Sequence, residues 1–209
     1  NGLITRDQNV PEQIEYFLKM GYETIKIKLG SHPVAEEINK IRGVNKLIDK
    51  NIKLRFDANR SWSLVQAEAF FDQIHSQSVE YIEEPLREAD KLPELFLLTG
   101  MPIALDESIH MFDKSVSVPK WCAAIILKPA LLGSIFNTYN LIQKAANHGI
   151  TSVISDTFQA GIGMTMLVNL SLLANGDKIA MGLNTLRWLD DDLLKNRIQI
   201  TDGEIDLSL

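Results

Sequence analysis

The chain has a single cysteine, Cys122, among 209 residues. No internal disulfide can form, which suits a reducing compartment. No basic block occurs either. Lys and Arg number 21 against 27 Asp and Glu, a formal charge of −6, which argues against nucleic acid or an anionic membrane as a partner. Apolar stretches never approach the roughly 20 residues that span a bilayer, and no signal peptide opens the sequence. The expectation is a soluble cytoplasmic protein. Low-complexity tracts and close internal repeats are missing as well, which sets aside linkers and solenoids. Four histidines, His32, His75, His110 and His148, are scattered and read as surface residues. The first residues, NGLI, already read as a strand, so the chain is expected to be one part of a longer protein.

The sequence does contain a rhythm. Lys28 in TIKIKLG, Asp57 in KLRFDAN, Glu83 in VEYIEEP, Asp106 in PIALDES and Lys128 in AIILKPA each end a short apolar run, at steps of 29, 26, 23 and 22 residues. Each step has the length of one strand, one helix and two loops. Strands are expected at 2–5, 24–29, 52–56, 79–83, 102–105, 123–127, 151–155 and 178–182. Several are continuous apolar runs, as in a parallel sheet covered by helices, and eight strands close a barrel. Helices are expected from Asn9 and Pro11 to Gly21, from the Ser63-x-x-Gln66 capping box onward, from Asp90 to Gly100, and from Ser134 to Gly149. One more should follow Gly161 and Gly163 and run to about Ala174. The fold class is α/β, a (β/α)₈-type barrel over 1–191, with a tail at 192–209 that leaves the rhythm.

In such a barrel the C-terminal strand ends share one bowl. Asp57, Glu83 and Asp106 would be neighbours there, and three carboxylates in a partly dry site repel and raise one another's pKa. A divalent cation relieves that cost, and an all-oxygen set favours Mg²⁺. Separate pairing of each acid with Lys or Arg is the alternative, weak for three acids at matching strand ends. Lys26 and Lys28 share one strand face, and Lys128 would stand across the ring from them. Crowded lysines titrate low, which makes them usable as bases; pairing with the acids is the other role open to them. Asn59 is a candidate to orient the metal shell. Ser155, Asp156 and Thr157, with backbone N–H groups at Gly161 and Gly163, could hold a substrate carboxylate. Trp62, Trp121 and Trp188 read as packing anchors.

KIK, DAN, EEP, LDES and ILKP, in this order and spacing, resemble the barrel domain of the enolase superfamily, in its muconate-lactonizing-enzyme-like subgroup. FDANRSW, YIEEPL, ILKPALLGS and GITSVIS look most like the o-succinylbenzoate synthase family, over 1–191. The resemblance implies Asp57, Glu83 and Asp106 as ligands of Mg²⁺, with Mn²⁺ as a substitute. It implies Lys28 as general base, Lys26 beside it keeping its pKa low, and Lys128 as a cation opposite. Ser155 and its neighbours would touch a substrate carboxylate. The implied reaction is a carbon–oxygen lyase step: 2-succinyl-6-hydroxy-2,4-cyclohexadiene-1-carboxylate loses water to give o-succinylbenzoate, for menaquinone. The family's N-terminal capping domain is not within residues 1–209 and is expected in the full-length protein, where the tail at 192–209 is expected to pack on it. Gln159 stands where relatives commonly carry Glu.

Other activities use the same scaffold. An N-succinylamino-acid racemase needs no further residue type. A dipeptide epimerase usually carries Asp-x-Asp after the eighth strand, where this chain reads GLNTL. A Schiff-base aldolase would use Lys28 or Lys128 as nucleophile and survive EDTA. A binding scaffold without catalysis would take up no divalent ion.

Overall fold

A computed structural model describes residues 1–5, 9–74, 78–114, 121–175 and 178–206, with side chains described except at 112–114. His75 lies outside the described residues. His32, His110 and His148 are exposed, as expected.

Seven parallel strands form one sheet in chain order: β1 Gly2–Ile4, β2 Thr24–Lys28, β3 Lys53–Asp57, β4 Val79–Glu83, β5 Ile103–Leu105, β6 Cys122–Leu127 and β7 Thr151–Ile154. The helices between them are α1 Val10–Lys19, α2 Val34–Val44, α3 Leu64–Phe71, α4 Leu92–Thr99, α5 Ile109–Lys114, α6 Pro129–Leu132 and α7 Ile135–Ala146, with α8 Gly161–Leu173 after β7. The alternation in β2 explains its layers. Ile25, Ile27 and Leu29 are fully buried toward the helices, while Lys26 and Lys28 face the barrel interior and stay partly accessible.

The expected eighth strand at 178–182 is a correction. Only Gly182 bridges to β7: its N–H donates to Ile154 (2.9 Å) and its carbonyl accepts from Asp156 (3.0 Å). The N–H groups of Lys178 and Ile179 are spent on the carbonyl of Asn175, at 2.9 and 3.1 Å, in a turn where Asn175 is left-handed (φ 56°). Donors used in the turn cannot enter a ladder. The remaining 180–182 segment still links β7 to β1, because the backbone nitrogen of Asn1 donates to Met181. Across the interior, Arg55 on β3 reaches the carbonyl of Ala180 at 2.5 Å.

Arg55 fills the lower barrel. It is fully buried, bonds Glu80 at 2.5 Å, and lies over the Tyr81 ring at 5.0 Å. Burial would lower it, but Tyr81 and Glu80 outweigh that and hold it above the usual arginine range.

Helix ends follow local chemistry. Ser63 and Gln66 form both halves of the expected capping box, and Ser134 accepts from the N–H of Asn137 at 3.0 Å. Asp90 does not cap a helix: it sits inside a 3₁₀ turn, Ala89–Lys91, and α4 begins after Lys91 without a side-chain cap. Gly161 and Gly163 lie within the first turn of α8 rather than before it. Part of the tail packs under the barrel itself, where Ile198, Ile200 and Ile205 meet the core.

Cys122 is buried at the start of β6, and burial pushes its thiol up to about 12. Against an ordinary value near 9, that cuts the thiolate fraction at pH 8 about a thousandfold. A disulfide reagent is expected to label native protein at pH 8 at least a few hundred times more slowly than urea-unfolded protein. Equal rates would show that Cys122 is accessible in the folded state.

Candidate active site

The registers assemble the site before any side chain is considered. Lys28 pairs with Asp57 and Asp57 with Glu83, so three functional residues lie side by side on β2, β3 and β4. Glu83 pairs with Ala104, two residues short of Asp106, and Leu127 ends β6 just before Lys128. Pro129 stands in the first turn of α6, where its lost N–H costs nothing and its fixed φ suits the helix. That turn stops β6 at the residue after Leu127.

The side chains meet by ammonium–carboxylate pairing, the alternative that the sequence left open beside a shared cation. Lys26 Nζ lies 2.6 Å from Glu83 Oε2 and 2.8 Å from Asp57 Oδ2. Lys28 Nζ lies 2.5 Å from the same Asp57 oxygen and 2.8 Å from Asn59 Oδ1. Lys128 Nζ pairs with Asp106 Oδ2. Asn59 is left-handed (φ 44°), and its N–H returns to Asp57 Oδ1 at 3.0 Å. It therefore ties the base candidate to the adjacent acid from both ends.

Burial and charge oppose each other strongly here. Burial alone would raise Asp57, but Lys26 and Lys28 outweigh it and hold that carboxyl below the usual range. Glu83 goes the other way: burial, then the Asp57 charge, push it well above the usual range despite Lys26. Lys26 corrects an expectation. Crowding was expected to keep it low, and burial does act in that direction. The two carboxylates win, and its ammonium lies above the ordinary lysine range.

Among the described residues, no three acidic, imidazole or thiol groups stand as closely as one shared ion would draw them. Each acid is turned to a lysine instead, the electrostatic answer for carboxylates in the absence of other positive charge. The donor set nevertheless fits a hard divalent ion. It is all oxygen, it comes from three neighbouring strand ends, and Glu83 Oε1 is buried with no hydrogen-bond partner among the described residues. An unpaired buried carboxylate oxygen is costly unless a cation takes it.

The second predicted group is not part of this cluster. Ser155 bridges to Gly182. Asp156 is buried and bonds the Thr185 hydroxyl and the N–H of Gln159. Thr157 is half-buried beside them. The Gly161 N–H, expected to hold a substrate carboxylate, instead donates to Asp192 of the tail at 2.7 Å. That N–H and those of Leu193 and Leu194 hold the Asp192 carboxyl below its usual range. Gln159 Oε1 is buried without a partner among the described residues. Nothing in the sequence announced Asp192. Glu84 was missed although it stands in the EEP motif: it is fully buried at the junction of β4 and β5.

Comparison with known proteins follows the same lines. The profile described as "Enolase C-terminal domain-like" matches residues 9–208. An o-succinylbenzoate synthase of Pectobacterium atrosepticum is 32% identical over 180 residues, which cover 84% of this chain and 54% of that protein. The chain thus spans about half the length of that relative. The crystal structure of MenC from Desulfotalea psychrophila superposes with a TM-score of 0.83 at 24% identity, over 98% of this chain and 59% of that one. A muconate lactonizing enzyme from Pseudomonas putida gives a TM-score of 0.83 at 19% identity, with the same coverage.

Proposed function

The chain belongs to the enolase C-terminal domain-like family of the enolase superfamily, and from that premise we propose that it is the barrel of a Mg²⁺-dependent lyase of the o-succinylbenzoate synthase type. What supports this reading is one arrangement: lysines on β2 and after β6 flank three carboxylates at the ends of β3, β4 and β5. The similarity to the Pectobacterium synthase points to the same chemistry. In the whole protein we include an N-terminal capping domain, with part of 192–209 packed against it.

The proposed substrate is 2-succinyl-6-hydroxy-2,4-cyclohexadiene-1-carboxylate. Asp57, Glu83 and Asp106 would hold Mg²⁺, and the bound ion would supply positive charge against the dianion formed by proton loss next to a carboxylate. Lys28, freed from Asp57, takes the α-proton. The C–H electron pair becomes the new carbon–carbon double bond, and the C–O bond breaks with its pair on oxygen. Lys28 returns the proton to that departing hydroxide, which leaves as water. Lys26 stays charged between Asp57 and Glu83 and keeps a second ammonium close to Lys28. Lys128, on the far side, contributes a fixed cation to the developing negative charge. Ser155, Asp156 and Thr157 would border the substrate's second carboxylate.

The test is direct. The purified full-length protein, given this substrate and Mg²⁺, is expected to form o-succinylbenzoate, and EDTA is expected to abolish formation. No product in the presence of Mg²⁺ would sink the assignment. Deuterium uptake at Cα of an N-succinylamino acid in D₂O, without dehydration, would favour the racemase reading instead.

A further inference from the structure

Glu84 is the residue whose placement the mechanism above leaves unexplained. It is fully buried and follows Glu83 directly, yet its carboxylate has the Arg60 guanidinium at 4.0 Å as its ion-pair partner rather than a lysine. A left-handed backbone (φ 42°) turns it toward β5, a conformation that costs a residue other than glycine. Its carboxylate then takes three donors from one neighbouring segment. Oε1 accepts the N–H of Asp106 at 2.9 Å and of Ser108 at 2.6 Å, and Oε2 accepts the Ser108 hydroxyl at 2.9 Å. Its own N–H donates to Ala104 at 3.1 Å, and its carbonyl accepts from Arg60 at 2.6 Å. The second Glu of EEP and the Ser of LDES are therefore partners. A buried carboxylate and a strained backbone persist only where the surroundings hold them, and here they grip the residue carrying an acid of the site.

We propose that Glu84 is a positioning residue: by gripping the Asp106 and Ser108 backbone it fixes Asp106 beside Glu83 for a divalent ion, and through Asp106 it sets Lys128 opposite Lys28. The inference rests on the metal reading given above. It differs from plain structural support because it concerns where one carboxylate points, and that can be read without turnover.

The probe is Mn²⁺, followed by electron paramagnetic resonance on the whole chain. Glu84→Gln keeps shape but weakens the acceptors, and is expected to lower Mn²⁺ affinity roughly 10–100-fold, the range for partners that orient metal ligands. Glu37→Gln is the matched comparison. Glu37 is also fully buried and also accepts loop N–H groups, from Gly30 and His32, but it touches none of the three acids. Its Mn²⁺ affinity is expected to stay within about threefold of the parent. Parent-like affinity in Glu84→Gln, or equal losses in both variants at equal thermal destabilisation, would overturn the proposal. If Glu84→Gln does not fold, Ser108→Ala carries the test, since it removes only the hydroxyl donor. A drop of about threefold or more then supports the proposal and no change overturns it. A parent protein that binds no Mn²⁺ removes the metal reading and this inference together; binding by the parent with no effect of Glu84 removes this inference alone.

Discussion

Lys28→Ala is expected to lower dehydration by roughly 10²–10⁴-fold, the usual share of a positioned base, while the protein stays folded. Lys28 is a quarter exposed, so losing its pair with Asp57 costs little more than an exposed ion pair, about 1 kcal/mol or less. Asp57 keeps Lys26 at 2.8 Å, so no buried charge is left alone. For a chain this long that loss lowers the melting temperature by about 2–4 °C. Lys28→Arg separates charge from base. It keeps the cation and a carboxylate partner, but guanidinium does not lose its proton in this pH range. Turnover should fall as far as in the Ala variant, with stability close to the parent. An active Lys28→Arg protein would mean that the ammonium serves only as charge, and the proton would need another acceptor.

How far the sequence discloses this site depends on whether a residue's role is written locally. That Lys28, Asp57, Glu83, Asp106 and Lys128 gather at one rim was legible because each ends or directly follows an apolar strand, and a parallel register carries strand ends to one rim. The capping box at Ser63 and Gln66 was legible for the same reason, since both partners lie within one turn. The eighth strand was not. Residues 178–182 look like a strand in composition, but their fate is decided by the turn at Asn175, which takes the N–H groups of Lys178 and Ile179. Asp192 at the start of α8 was also hidden, because the contact joins positions 31 residues apart with no periodic signal. Lys26 shows a third kind of limit. Its place on the strand face was readable, yet the sign of its shift turns on distances of 2.6 and 2.8 Å to two acids, against the burial that opposes them.

The rim that holds the site should also be the place where one apolar residue matters most. Trp62 is fully buried, just beyond the left-handed pair Asn59 and Arg60. Its ring lies 4.8 Å from Phe70, which in turn meets Phe56 on β3 and Phe71. Its backbone crosses to the next loop, donating to Pro85 at 3.1 Å and accepting from Arg87 at 2.9 Å. Trp62 thus joins the loops after β3 and β4, which carry Asp57 and Glu83. Trp62→Ala removes the ring from a packed cluster and is expected to cost about 3–5 kcal/mol, a fall of roughly 6–20 °C in melting temperature. Trp62→Phe should cost far less. The indole N–H is buried without a hydrogen-bond partner among the described residues, so exchanging it for a hydrocarbon ring removes an unmet donor while keeping most of the contacts. Thermal denaturation of the two variants checks the argument. A Phe variant as unstable as the Ala variant would place the contribution of Trp62 in its N–H rather than in its packing. If the ring is the anchor, the Phe variant should also retain Mn²⁺ binding, because the two loops would still be held at the spacing that aligns Asp57 with Glu83.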